Sequence, residues 1–294
     1  MTRRGRLLGV VLVVAVAAVP SLAATPAGAK KKKGKKPAPV VRTAAGNAIG
    51  NGSVATATAT CPSKTKAVGG GFVLSPPGPG LGFFGIVYES VKVGQKAWRA
   101  SAQNFDGGAP DSLSITTQVI CRKGAPSTTT ATNTTPKPAV NQIGPTSLAS
   151  CTGKASAQAP GFLTGLPVSG PAANLIITDS FLAAAKTANT TLISSASATN
   201  SLTTNAYCAN GKVKQVAGQG STVSTSLSTV ESTATCTGKN KMLSGGFQQE
   251  GASTTPASYL VPLESQRTGA KTWRVRAVKI GSNPATLIGW GHCG

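Results

Sequence analysis

Apolar and polar residues alternate with a period of two along most of the chain. Trp98, Ala100 and Ala102 alternate with Arg99, Ser101 and Gln103, and Trp273, Val275 and Ala277 alternate with Arg274, Arg276 and Val278. Leu113, Ile115, Thr117 and Val119 keep the same spacing up to Cys121. Shorter alternations, Ile86 with Tyr88 and Val261 with Leu263, run up to an acidic residue. This is the pattern of half-buried strands, and Gly, Pro and Asn clusters between them mark turns. Beyond the first residues no segment carries a helical apolar stripe. The pattern predicts an all-β protein built from short antiparallel strands.

The exception is the 13-residue apolar run Leu7–Val19, preceded by Arg3, Arg4 and Arg6 and followed by Pro20. A membrane span needs about 20 apolar residues, so the run reads as the core of an export signal. Small residues offer cleavage after Ala23 or Ala29, and residues 1–29 are predicted to be the signal peptide. The paired arginines also allow the twin-arginine route. No second run reaches membrane length, so no transmembrane segment is expected after cleavage. The expected location is secreted or cell-surface associated, where disulfides persist.

The six cysteines, Cys61, Cys121, Cys151, Cys208, Cys236 and Cys293, show the organisation. From Cys61, Cys151 and Cys236 the next cysteine follows 60, 57 and 57 residues later. Laid side by side from those three residues, the segments match at fixed offsets. They align Lys64 with Lys154 and Lys239, Gly71-Phe72 with Gly161-Phe162 and Gly246-Phe247, and Glu89-Ser90 with Asp179-Ser180 and Glu264-Ser265. They also align Lys96 with Lys186 and Lys271, and Trp98 with Ala188 and Trp273. The chain is therefore a threefold repeat. A Lys/Pro-rich linker (30–44) leads to modules at 45–122, 139–209 and 217–294. A Thr/Pro-rich segment (123–138), expected to be an extended and mobile linker, and a shorter linker (210–216) separate them. Each module reads as a small antiparallel β-sandwich, jelly-roll-like, with one disulfide. Six cysteines allow 15 connectivities. Pairing within each copy, Cys61–Cys121, Cys151–Cys208 and Cys236–Cys293, is expected. Each such loop is worth roughly 4 kcal/mol in the chain-entropy picture.

The pattern Cys-x-x-Lys, Gly-Gly-Phe, acidic-Ser, Lys-x-Trp and a strand ending in Cys resembles repeat modules of secreted proteins from high-G+C bacteria. The module openings are also similar to the three-module cysteine-rich C-terminal domain of a mammalian secreted proprotein convertase. That resemblance implies small β-sandwiches packed around a pseudo-threefold axis. It implies no site residue, because this chain has one Cys pair per module where that domain has more, and lacks its histidines.

Charge adds a candidate activity. Only 12% of residues are charged, yet the formal net charge is +22. Of 29 basic residues, three lie in the signal, six form the run Lys30, Lys31, Lys32, Lys33, Lys35 and Lys36, and one is Arg42; 19 remain against 7 acidic residues. Such a balance favours polyanions. Outside a cell these are acidic wall polymers, surface polymers or glycans; the compartment argues against nucleic acid. The candidate contacts are the six lysines of the run together with Arg274 and Arg276, which share one strand face.

Catalytic and cofactor readings are weak. Ser63 and Lys66 have S-x-x-K spacing but lack the partner motifs and the helix that the chemistry needs. The basic run before three glycines in `SKTKAVGGGF` has the wrong order for a phosphate loop. The only histidine, His292, stands beside Cys293, and no Cys/His cluster suits a metal. The in-register carboxylates Glu89, Asp179 and Glu264 belong to separate modules, and a lysine seven residues on (Lys96, Lys186, Lys271) suggests a hairpin ion pair for each. The expectation is a non-enzymatic binding or structural protein that takes no cofactor. A lectin-like repeat protein is the alternative and a secreted hydrolase the remote one.

Overall fold

A computed structural model describes residues 37–50, 52–75, 85–104, 112–136, 142–144, 146–164, 175–194, 201–250 and 258–294. The signal and Lys30–Lys36 lie outside the described residues. The described residues form strands, turns and bends and no helix. The first module supplies β1 (Val40–Ile49), β2 (Val54–Thr60), β3 (Thr65–Ser75), β4 (Gly85–Val93), β5 (Ala97–Asn104) and β6 (Ser112–Lys123). The second supplies β7 (Thr129–Pro136), β8 (Gln142–Ile143), β9 (Ser147–Ser150), β10 (Ser156–Thr164), β11 (Leu175–Ala184), β12 (Thr187–Ser194) and β13 (Ser201–Ala209). The third supplies β14 (Lys214–Ala217), β15 (Ser221–Val223), β16 (Thr229–Thr235), β17 (Met242–Glu250), β18 (Ser258–Arg267), β19 (Thr272–Gly281) and β20 (Ala285–Cys293). The expected disulfides are present: Cys61–Cys121, Cys151–Cys208 and Cys236–Cys293.

All three segments read as linkers contain paired strands, the 30–44 segment from Val40 on, where β1 begins. β7 lies inside the Thr/Pro-rich 123–138 segment and pairs with β13 over eight residues, from Thr129 opposite Cys208 to Pro136 opposite Ser201. β14 begins inside 210–216 and pairs with β20, Lys214 lying opposite Cys293. They match β1, whose Val40 lies opposite Cys121. Threonine is both a loop residue and a good strand former, so composition alone misread a β-branched edge strand as a free linker.

The modules do not keep their sheets to themselves. One sheet runs β1-β6-β3-β18-β19-β16, the next β2-β5-β4-β10-β13-β7, and the third β14-β20-β17-β11-β12, with β8 and β9 on β12. Each sheet therefore joins half of one module to half of its neighbour. The seams repeat: Phe72 lies opposite Ser265, Phe162 opposite Ser90, and Phe247 opposite Ser180. The third module closes back on the first, which makes a ring.

The signature residues build these seams. A Cβ on Gly71 would overlap the Ser265 carbonyl oxygen, and one on Gly246 the Ser180 carbonyl oxygen. At Gly161 the corresponding approach, to the Ser90 carbonyl oxygen, is 3.0 Å. A register shift precedes every Glu/Asp-Ser step, between Val87/Glu89, Ile177/Asp179 and Pro262/Glu264. Such bulges re-aim side chains, and Glu89, Ser90, Ser180, Glu264 and Ser265 are all buried. On the ring axis Phe72, Phe162 and Phe247 meet edge to face, with centroids 6.3 to 6.4 Å apart. One apolar core, including these rings and Ala57, Ile115, Ile177, Leu192 and Leu287, runs through all three modules.

Each seam is sealed differently around this shared frame. Between modules one and three, Gln118 Nε2 donates to the Arg267 carbonyl (3.0 Å) and Arg267 N–H to Gln118 Oε1 (2.9 Å). Between one and two, Lys92 N–H donates to the Tyr207 hydroxyl (2.7 Å), and Tyr207 packs on Trp98 at 5.4 Å. Between two and three, Phe181 stacks on Trp290 at 5.2 Å and Gln249 N–H donates to Asp179 Oδ1 (2.8 Å).

Candidate functional site

The register places all three disulfides at one end of the ring. In each seam a strand leaving a module's first cysteine lies antiparallel to a strand of the neighbour that runs toward the neighbour's disulfide. Both disulfide ends therefore point the same way. The local frame at that end also repeats: the N–H groups of Cys61, Cys151 and Cys236 donate to the carbonyls of Lys96, Lys186 and Lys271 at 2.8, 2.8 and 2.9 Å.

Cations collect there. Module one places Lys64, Lys66, Lys92, Lys96, Arg122 and Lys123 within about three residues of the end, module two Lys154 and Lys186, and module three Lys212, Lys214, Lys239, Lys241 and Lys271. All thirteen are exposed or half-buried. None of the five described acidic residues stands at this end. Glu89, Asp179, Glu231 and Glu264 sit within strands, and Glu250 closes β17 away from the cysteines. Asp106 and Asp111 lie outside the described residues. β1 starts at this end too.

Arg274 and Arg276, read as an open basic pair, are instead held by carboxylates. Arg274 Nε donates to Glu264 Oε1 at 2.6 Å and its Nη2 to Oε2 at 3.1 Å, with Glu231 at 3.9 Å; Arg276 stands 4.0 Å from Glu264. Two arginines face two glutamates, and the patch has no net charge. The alternation that put both arginines on one outer face was correct; their partners come from β16 and β18, which spacing along β19 does not reveal.

The lysine seven residues after each acidic residue is not its partner. Lys186 Nζ donates to the Gly153 carbonyl (2.6 Å) and Lys271 Nζ to the Gly238 carbonyl (2.7 Å). The ion partner is ten residues on: Arg99 donates through Nε (2.9 Å) and Nη2 to Glu89, and Arg274 to Glu264. The second module has Asn189 at that position, and among the described residues Asp179 has no cation partner. Its acceptors take Gln249 N–H and the Thr178 hydroxyl instead. Burial pushes its pKa up to about 6, and these hydrogen bonds only partly oppose that.

His292 forms no catalytic set. It is wholly buried, and its Nδ1 lies 2.8 Å from Ser244 Oγ, which donates its own proton to the Gln158 carbonyl at 2.6 Å. Ser244 Oγ must therefore accept from Nδ1–H, which leaves Nε2 as an unprotonated nitrogen without a partner. Burial lowers the imidazole pKa to about 3. Nor is the Ser63/Lys66 pair joined, since Lys66 Nζ donates to Ser127 Oγ at 2.8 Å. Among the described residues, no three His, Cys, Asp or Glu side chains gather as metal ligands. None of those residues forms a helix long and apolar enough to cross a membrane.

No protein-family model matches the chain, and no curated protein matches it.

Proposed function

We propose that the protein is exported and acts as a non-enzymatic binding protein, gripping anionic polymers of the cell envelope through the disulfide end of its ring. One observation carries this reading: these thirteen cations share that end with no described Asp or Glu side chain. Unpaired like charges repel one another, so the folded chain holds a positive potential that an anionic chain relieves. The disulfides fit an oxidising compartment, and the signal-like N-terminus and Lys30–Lys36 support the same picture. Near an anionic surface each lysine contributes about 1 kcal/mol. Of the described carboxylates, Glu89 and Glu264 are held by arginines and Asp179 by the Gln249 backbone.

The test is binding of the purified chain to arrays carrying acidic polymers and neutral glycans, at low and at 0.5 M salt. Salt-sensitive retention on acidic polymers of several kinds is the expected result. Selective, salt-resistant binding to a neutral sugar would replace this reading with the lectin-like one.

A further inference from the structure

Within the cationic end, module one contains a constellation that its sister modules lack. Lys66, on β3, and Lys92, on β4, both reach the connection between β6 and β7. Lys66 Nζ donates to Ser127 Oγ at 2.8 Å and Lys92 Nζ to Thr128 Oγ1 at 2.7 Å. That connection is pinned by Gln95, whose Nε2 donates to the Thr128 carbonyl (2.8 Å) and whose Oε1 accepts Thr128 N–H (3.1 Å). Arg122 lies directly opposite Lys66 in the β3–β6 ladder, so its side chain leaves from the same face.

These three cations share no counter-charge. The ion pairs among the described residues are those of Arg99, Arg274 and Arg276. Lys92 is also half-buried, and burial followed by the charge of Lys66 lowers its pKa to about 8. A partly desolvated ammonium beside a second one, with a guanidinium adjacent, costs the fold stability that an anion would restore. In module two Ser156, Leu182 and Ala209 stand at the three positions. In module three they are Lys241, Arg267 and Gly294, and Arg267 turns inward to the Gly269 carbonyl at 2.7 Å. The constellation is thus particular to one module rather than a by-product of the repeat.

We infer that Lys66, Lys92 and Arg122 together hold one phosphate group of the bound polymer, with the Ser127 and Thr128 hydroxyls as further donors. Ammoniums act as point charges that suit a tetrahedral oxyanion approached from several sides, and the Arg122 guanidinium can pair bidentately with the same phosphate; three cations exceed what the single charge of a carboxylate can satisfy. The assignment rests on the reading of this end as a polyanion-binding surface and names the ligand class for it.

The experiment uses the full chain at pH 6.5, where Lys92 is charged. Inorganic phosphate and acetate are titrated separately and followed by the NMR signals of the lysine side chains. Phosphate is expected to bind at least fivefold tighter than acetate. Lys66→Gln and Lys92→Gln are each expected to weaken phosphate at least fivefold. Lys92→Arg, which keeps the charge, and Arg42→Gln, which removes an exposed charge of the same end but outside the constellation, should stay within twofold. An unchanged thermal midpoint for Lys66→Gln guards against loss through misfolding. Competition then separates sources of the phosphodiester: a soluble glycerol-phosphate polymer should displace inorganic phosphate, and phosphatidylglycerol vesicles should not. If vesicles alone displace it, the assignment to a polymer is overturned in favour of lipid. If the three glutamine variants weaken phosphate equally, the subsite is overturned while polymer retention by the wild type still stands. If the wild type retains no acidic polymer even at low salt, the broader reading falls with it.

Discussion

Phe72 of the first module lies directly opposite Ser265 of the third, in a single antiparallel ladder. This contact closes the ring, because chain order alone would leave the first and last modules at opposite ends. Its consequence is that the seam glycines, the axial phenylalanines and the acidic-Ser steps form one cooperative unit. Removing any one of them is felt by two modules.

The seam glycines should rank by the space beside them. Gly71→Ala and Gly246→Ala put a methyl group into a carbonyl oxygen and are expected to cost about 2–3 kcal/mol, within the overpacking range. Gly161→Ala meets the Ser90 carbonyl at 3.0 Å and the Tyr207 hydroxyl at 2.9 Å, and should cost less than the other two, about 1 kcal/mol. Urea unfolding of the three variants checks this. Equal losses would mean that the seams do not depend on that approach.

The indole of Trp273 occupies the space a side chain at Gly245 would need, and Trp98 does the same at Gly70. Where the tryptophan is replaced by Ala188, the glycine is replaced by Pro160. Trp273→Ala is expected to cost about 3–5 kcal/mol. Gly245→Ala should destabilise the wild type yet be neutral or helpful in the Trp273→Ala background. The coupling expected from a double-mutant cycle is about 1–3 kcal/mol; additivity would show that the two sites are independent.

Two groups with shifted pKa values give opposite pH slopes. Asp179 titrates near 6 in the folded protein against an ordinary value of 3.8, so between those values the native state holds a proton that the unfolded chain has lost. Stability from this group falls as pH rises from about 4 to 6 and is level above that. His292 titrates near 3 against 6.5, so the unfolded chain takes up a proton first and stability falls as pH drops below 6.5. The two effects offset each other between pH 4 and 6. Asp179→Asn keeps an acceptor for Gln249 N–H and removes one slope. It should be more stable than the wild type at pH 7.5 by roughly 2–3 kcal/mol, an advantage that vanishes near pH 4. Thermal melts across pH 4–8 are the measurement, and a pH-independent difference would contradict the assignment.

Asn189→Arg restores to module two the arginine that Glu89 and Glu264 possess. The new guanidinium should pull the Asp179 pKa down. The thermal midpoint is then expected to rise at pH 7.5 and to change little at pH 4.5. A rise at both would indicate packing rather than charge.

Much of this was legible once the copies were aligned. Cys, Gly-Phe and acidic-Ser recur because each makes a staple or a seam, and period-two alternation was enough for the strands. Alignment also contained, unread, the change from Arg99 and Arg274 to Asn189 that accompanies the change from glutamate to Asp179. Two things were hidden. β7 and β14 lie in segments whose composition favours turns as much as strands. The cationic end gathers residues from the starts and finishes of many strands, and only the shared direction of the three disulfides brings Lys64, Lys123 and Lys239 together. Arg274 and Arg276 looked free because the carboxylates that hold them come from other strands.

The central claim is that the disulfide end binds anionic polymer. Its most direct test is the slope of log affinity against log salt for a linear phosphate polymer, measured for the wild type and for a variant with Lys64, Lys123, Lys154 and Lys239 all changed to Gln. Each lysine that neutralises a polymer charge adds about −0.7 to the slope. The variant should therefore be shallower by about 3 and markedly weaker at low salt. A slope left unchanged by these four substitutions, but flattened by Arg274→Gln with Arg276→Gln or by deletion of Lys30–Lys36, would contradict the claim.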